Sequence, residues 1–102
     1  MSHRVELRPQ VLDDLRDVSA WYEREAEGLG ERFQERFFHA VGAAARDPEI
    51  FLKAHGEFRR VLLKHFPYAL YFRVHEDAVV FVLLFHGARH PKKLRRRLRE
   101  PS

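Results

Sequence analysis

Apolar residues recur with helical spacing through the first half of the chain and with extended spacing through the second. Arg4-Val5-Glu6-Leu7 alternates polar and apolar positions and reads as a short strand closed by Pro9. Pro9 also suits the first turn of a helix, where its missing N–H costs no hydrogen bond. Val11, Leu15, Val18, Tyr22 and Ala26 follow at steps of three or four, with Leu12 beside them. Asp13, Asp14, Asp17, Glu23, Glu25 and Glu27 fill the remaining turns. This spacing predicts an amphipathic helix over roughly 9–27. Gly28 and Gly30 interrupt it and leave only a few residues to reverse direction, so the next helix runs antiparallel. Leu29, Phe33, Phe37, Ala40 and Ala44 carry its stripe, widened by Phe38, Val41 and Ala45, and Asp47-Pro48 ends it.

Residues 49–57 carry no clear period, and beyond them the pattern becomes extended. Strands are predicted over 58–64, 68–75 and 78–86, rich in Val, Leu, Phe and Tyr. Phe66-Pro67 separates the first two, and His75-Glu76-Asp77 makes a tight antiparallel break between the last two. Val79 to Phe85 is apolar throughout, which predicts a central strand covered on both faces. The order β-α-α-β-β-β predicts an α+β fold: a four-stranded antiparallel sheet with the helical hairpin on one face and a basic C-terminal segment.

At 102 residues the chain fits a single domain, 1–102, whose basic segment spans 89–102. A hydrophobic fraction of 45% excludes intrinsic disorder, and no apolar run approaches the ~20 residues of a membrane span. The opening Met1-Ser2-His3-Arg4 carries no secretory signal, so a cytoplasmic protein with no membrane partner is expected. Without cysteine there is no disulfide framework and no thiolate ligand or nucleophile. Charge is strongly polarised. Residues 1–57 hold 8 Lys and Arg against 12 Asp and Glu, whereas residues 58–102 hold 11 against 3. Arg89, Lys92, Lys93, Arg95, Arg96, Arg97 and Arg99 follow one another with no acid between them, which implies an anionic partner for this half.

Four stretches give the chain a resemblance to a known family. They are Pro9-x-x-Leu12-x-x-Leu15 with Trp21-Tyr22; Gly28-Leu29-Gly30-x-x-Phe33; Arg60-x-Leu62-x-x-x-Phe66-Pro67-Tyr68-x-Leu70-Tyr71-Phe72; and His86-Gly87-Ala88-Arg89-His90-Pro91. Together they resemble the RelE/ParE superfamily of type II toxin–antitoxin toxins, also called plasmid-stabilisation proteins, over roughly 3–95. The resemblance implies a compact toxin neutralised by a cognate antitoxin. The superfamily divides between RelE-like mRNA interferases, which cleave mRNA on the ribosome, and ParE-like toxins, which poison DNA gyrase. One fold serves both, so the site must decide.

Cleavage through the ribose 2′-hydroxyl needs a proton acceptor, an acid for the leaving oxygen and cations for the charge on phosphorus. Arg60, Arg73 and Arg89 are the candidate cations and His86 the candidate proton shuttle. For a lone arginine such as Arg60, pairing with a helix carboxylate is the commoner role. Two departures from the nuclease pattern favour the ParE-like branch: no tyrosine follows Tyr71, and residues 53–57 hold one lysine and an acid where a lysine-rich loop is usual. No cofactor is expected, since Gly28-x-Gly30 follows a helix and not a strand. No metal is expected either, because His86-x3-His90 has zinc-compatible spacing but no third ligand. The aromatic residues Trp21, Tyr22, Phe33 and Phe37 fit core packing.

For the basic segment three readings remain. It can form a short helix over the open sheet face, anchored by Leu94 and Leu98. It can track nucleic acid, or dock the acidic arm of an antitoxin. The first is compatible with either of the others.

Overall fold

The computed structural model describes residues 3–87 and 91–99. Strand β1 (Arg4–Leu7) leads into helix α1 (Pro9–Glu25), which turns back through helix α2 (Leu29–Arg46). A 3-10 turn (Pro48–Ile50) precedes β2 (Lys53–His55), β3 (Phe58–Leu62), β4 (Tyr68–His75), β5 (Ala78–His86) and helix α3 (Pro91–Arg99). The sheet order is β1-β5-β4-β3-β2. The predicted helices and the three long strands stand within a few residues of their expected bounds. The sheet itself needs correction: it is five-stranded and mixed, not four-stranded and antiparallel. β1 pairs parallel to β5, with Val5 opposite Val79, which the long intervening chain permits. The added strand is β2, three residues long and antiparallel to β3, in the stretch that lacked a period.

The two faces of the sheet carry separate cores. Val61, Leu63, Leu70, Phe72, Val79, Phe81 and Leu84 face the hairpin and pack against Val11, Leu15, Phe33 and Phe37. Ala69, Tyr71, Leu83 and Phe85 face the other way, beneath Leu94 and Leu98 of α3. The parity of β5 changes partway along. Tyr71 pairs with Leu83 and Phe72 with Phe81, so Val82 is an extra residue, a β-bulge.

The hairpin closes on a glycine contact. Gly28 caps α2 in the left-handed region at φ 85°, and the Glu23 carboxylate accepts hydrogen bonds from the amides of Gly28 at 2.9 Å and Gly30 at 3.0 Å. Those are first-turn amides that the helix itself cannot satisfy. Gly30 is buried against α1. A Cβ there would lie 2.5 Å from the Ser19 carbonyl oxygen, which is backbone and cannot swing aside. Gly30→Ala is therefore expected to lower stability by about 1–3 kcal/mol despite alanine's better helix propensity, measured by urea denaturation. An unchanged or higher midpoint would mean that the helices can separate there freely.

Candidate binding face

Strand alternation decides which candidate residues can meet. Arg60 lies opposite Tyr71 and Arg73 opposite Val80, and both share the face that α3 covers in part. Arg73 is the diagonal cross-strand neighbour of Arg60, a position about 7–8 Å away in a regular ladder. Neither arginine makes an ion pair or side-chain hydrogen bond among the described residues. Arg59 takes the other face and donates to the backbone carbonyls of Phe51, at 2.7 Å, and Glu49, at 3.4 Å. It closes the 3-10 turn onto β3, a structural role.

His86 does not join the arginines. It pairs with Tyr68 on the hairpin side, ring centroids 5.0 Å apart and nearly perpendicular. Its surroundings are aromatic: Tyr68 meets Phe33, and Tyr22 meets both Phe33 and Phe66. Burial raises the phenol pKa of Tyr22 and, as the largest cause, that of Tyr68, so both stay neutral at physiological pH. Four residues expected to act together are thus divided: Arg60 and Arg73 on one side of the sheet, His86 on the other. Arg89, with His90, lies outside the described residues.

The basic segment forms helix α3, as the first of its three readings expects. Leu94 and Leu98, one turn apart, are buried on Tyr71, Leu83 and Phe85, while Lys92, Lys93, Arg95, Arg96 and Arg99 are exposed. None of these five cations is paired with an acid among the described residues. Arg97 is different, half-buried and 3.7 Å from the Asp14 carboxylate of α1. From the sequence, Arg97 groups with the other basic residues expected to bind a partner. The i+3 step from Leu94 could have shown that it lies beside the anchoring stripe and faces inward.

A cleft of about 850 Å³ opens between the N-terminal end of α1, the sheet and α3. Arg8, Arg73, Arg97, Asp13 and Asp14 supply its charges, and Phe58, Leu83 and Leu98 part of its apolar lining. Arg8, which sequence reasoning passed over, caps α1 without a side-chain hydrogen bond, and its Nε is buried with no acceptor. The Tyr71 hydroxyl, under α3, is the other buried polar side-chain atom without a partner among the described residues.

Asp14 has its pKa raised above the ordinary 3.8, chiefly by desolvation, against the opposing pull of Gln10 and Arg97. An acid that binds its proton more tightly when folded favours the native state at low pH. Stability falls as pH rises from about 3.8 through the native value. Asp14→Asn should therefore gain in melting temperature, relative to the parent chain, between about pH 3.5 and pH 7. A constant difference would mean that Asp14 is solvated.

Known proteins share this architecture. A family model described as the ParE toxin of type II toxin–antitoxin systems, parDE, matches residues 5–91. Among solved structures, a chain from the chromosomal ParDE toxin–antitoxin system of P. aeruginosa superposes with a TM-score of 0.69. It covers 84% of this chain and 97% of its own length at 12% identity, a likeness of fold. No curated protein matches.

Proposed function

The chain belongs to the ParE toxin family of type II toxin–antitoxin systems, and on that premise we propose that it halts growth by binding DNA gyrase, or gyrase on DNA, in the bacterial cytoplasm. A cognate antitoxin neutralises it. The observation that carries the reading is α3: five exposed cations, unpaired among the described residues, held on the sheet by two buried leucines. Such a surface attracts an acidic partner before contact and orients it on arrival. The separation of His86 from Arg60 and Arg73 supports binding over bond cleavage, because a missing acid–base group costs about 10²–10⁴ in rate.

The second reading is a ribosome-dependent endoribonuclease. What favours it is that Arg60 and Arg73 share one face without acidic partners among the described residues, as a phosphate clamp would. Expression of the chain alone, and then with its antitoxin, tests the toxin assignment. Purified protein with gyrase tests the target. Trapped cleavage complexes or lost supercoiling support the first reading, and mRNA cuts on translating ribosomes the second. His86→Ala is expected to leave growth inhibition within about threefold of the parent; a loss of about 100-fold or more would favour the nuclease.

A further inference from the structure

The charges of the cleft at the start of α1 do not cancel locally. Its two carboxylates are occupied: Asp13 with Arg16 at 2.9 Å, and Asp14 with Gln10 at 3.0 Å and Arg97 at 3.7 Å. Arg8 and Arg73 have no such partner among the described residues, and the Arg8 Nε is buried without an acceptor. A buried donor that finds no acceptor among the described residues leaves its guanidinium unsatisfied there, a cost that a ligand held by the same group can offset. Guanidinium groups favour oxyanions, which they can grip with parallel hydrogen bonds.

The size and lining of the cleft narrow the choice. At about 850 Å³ it lies within the range of small-molecule sites, about 300–1,000 Å³, and far exceeds what one carboxylate fills. Extending the β3–β4 register places Phe58 opposite Arg73, and this half-buried aromatic residue lines the cleft beside that cation. Three arginines against two aspartates leave the cleft lining one net positive charge, which suits one phosphate better than a run of them. We infer that the cleft binds a single nucleoside monophosphate, its phosphate between Arg8 and Arg73 and its base against Phe58. This goes beyond the gyrase reading and does not depend on it.

Calorimetric titration of the full chain with adenosine 5′-monophosphate tests the site, with adenosine, inorganic phosphate, a single-stranded octanucleotide and a glutamate-rich peptide as separate arms. Expected is saturable binding of the monophosphate, weakened at least tenfold by Arg8→Gln and by Arg73→Gln and several-fold by Phe58→Ala. Adenosine and inorganic phosphate should each bind at least tenfold more weakly. Arg32→Gln, exposed on α2 and outside the cleft lining, should change little. Arg8 lies at a helix boundary, so its variant reports even if replacing Arg73 in the sheet prevents folding. Several results would overturn the inference: no binding at millimolar monophosphate, equal binding of adenosine, or affinity indifferent to both arginines. So would preference for the octanucleotide or the peptide, since either would assign the arginines to a strand or a protein segment.

Discussion

Phe33→Ala is expected to remove about 3–5 kcal/mol of unfolding free energy, the top of the range for truncating a buried side chain. The side chain is completely buried on α2. Its ring stacks on Tyr22 at 5.4 Å and takes edge contacts from Phe66 at 5.0 Å and Tyr68 at 5.3 Å. It therefore touches both arms of the hairpin, the loop before β4 and the sheet at once. Rigid aromatic rings on every side resist collapse into the space left behind, and residual cavity volume is what makes such truncations costly. Native domains hold roughly 5–15 kcal/mol in all, so the variant should be close to unfolding at about 37 °C. Phe38→Ala, on the half-exposed side of the same helix, serves as the control, expected within about 1 kcal/mol of the parent. Urea titration of both variants decides; a Phe33 loss below about 1 kcal/mol would mean that the aromatic junction does not couple the hairpin to the sheet.

How much of the fold was legible in the sequence follows from the length of each element and the regularity of its pattern. Long stripes, such as Leu29 to Ala45 in α2 and Tyr68 to His75 in β4, average over many positions, so local irregularity does not disguise them. β2 has three residues, Lys53-Ala54-His55, too few for any period to declare itself, and it exists because the β3 edge is there to pair with. β1 is legible as a strand, but nothing within Arg4–Leu7 states that its partner is β5 or that the pairing is parallel. The placement of His86 on the face away from Arg60 and Arg73 has a more specific reason. Strict alternation from Phe81, whose side chain faces the hairpin, would turn His86 toward the arginines. The bulge at Val82 adds one residue, so Leu84 and His86 face the hairpin instead and His86 meets Tyr68. An unbroken apolar run hides such a shift, because either parity buries the same kind of side chain.

Neutralising Lys92, Lys93, Arg95, Arg96 and Arg99 together, each to glutamine, is expected to weaken binding of the toxin's macromolecular partner by about 100-fold or more at low salt while leaving the fold intact. All five are exposed, so their removal uncovers no core, and glutamine is nearly as good a helix former as lysine or arginine. The partner attracted by these charges can be told from the salt dependence. If the five cations each neutralise a DNA phosphate, log K should fall by about 4–5 per tenfold increase in salt, and the variant should lose most of that slope. An acidic protein segment releases fewer condensed ions, so a shallower slope with the same loss of affinity would point to it. A second variant, Leu94→Ala with Leu98→Ala, keeps every cation and removes the hydrophobic anchor of α3. Undocking the helix should cost affinity as well, because a free arm must be ordered again on binding. Binding that survives the glutamine variant within about threefold would reduce α3 to a cover over Tyr71 and Leu83. Binding that survives only the leucine variant would show that the charges act without their seat on the sheet.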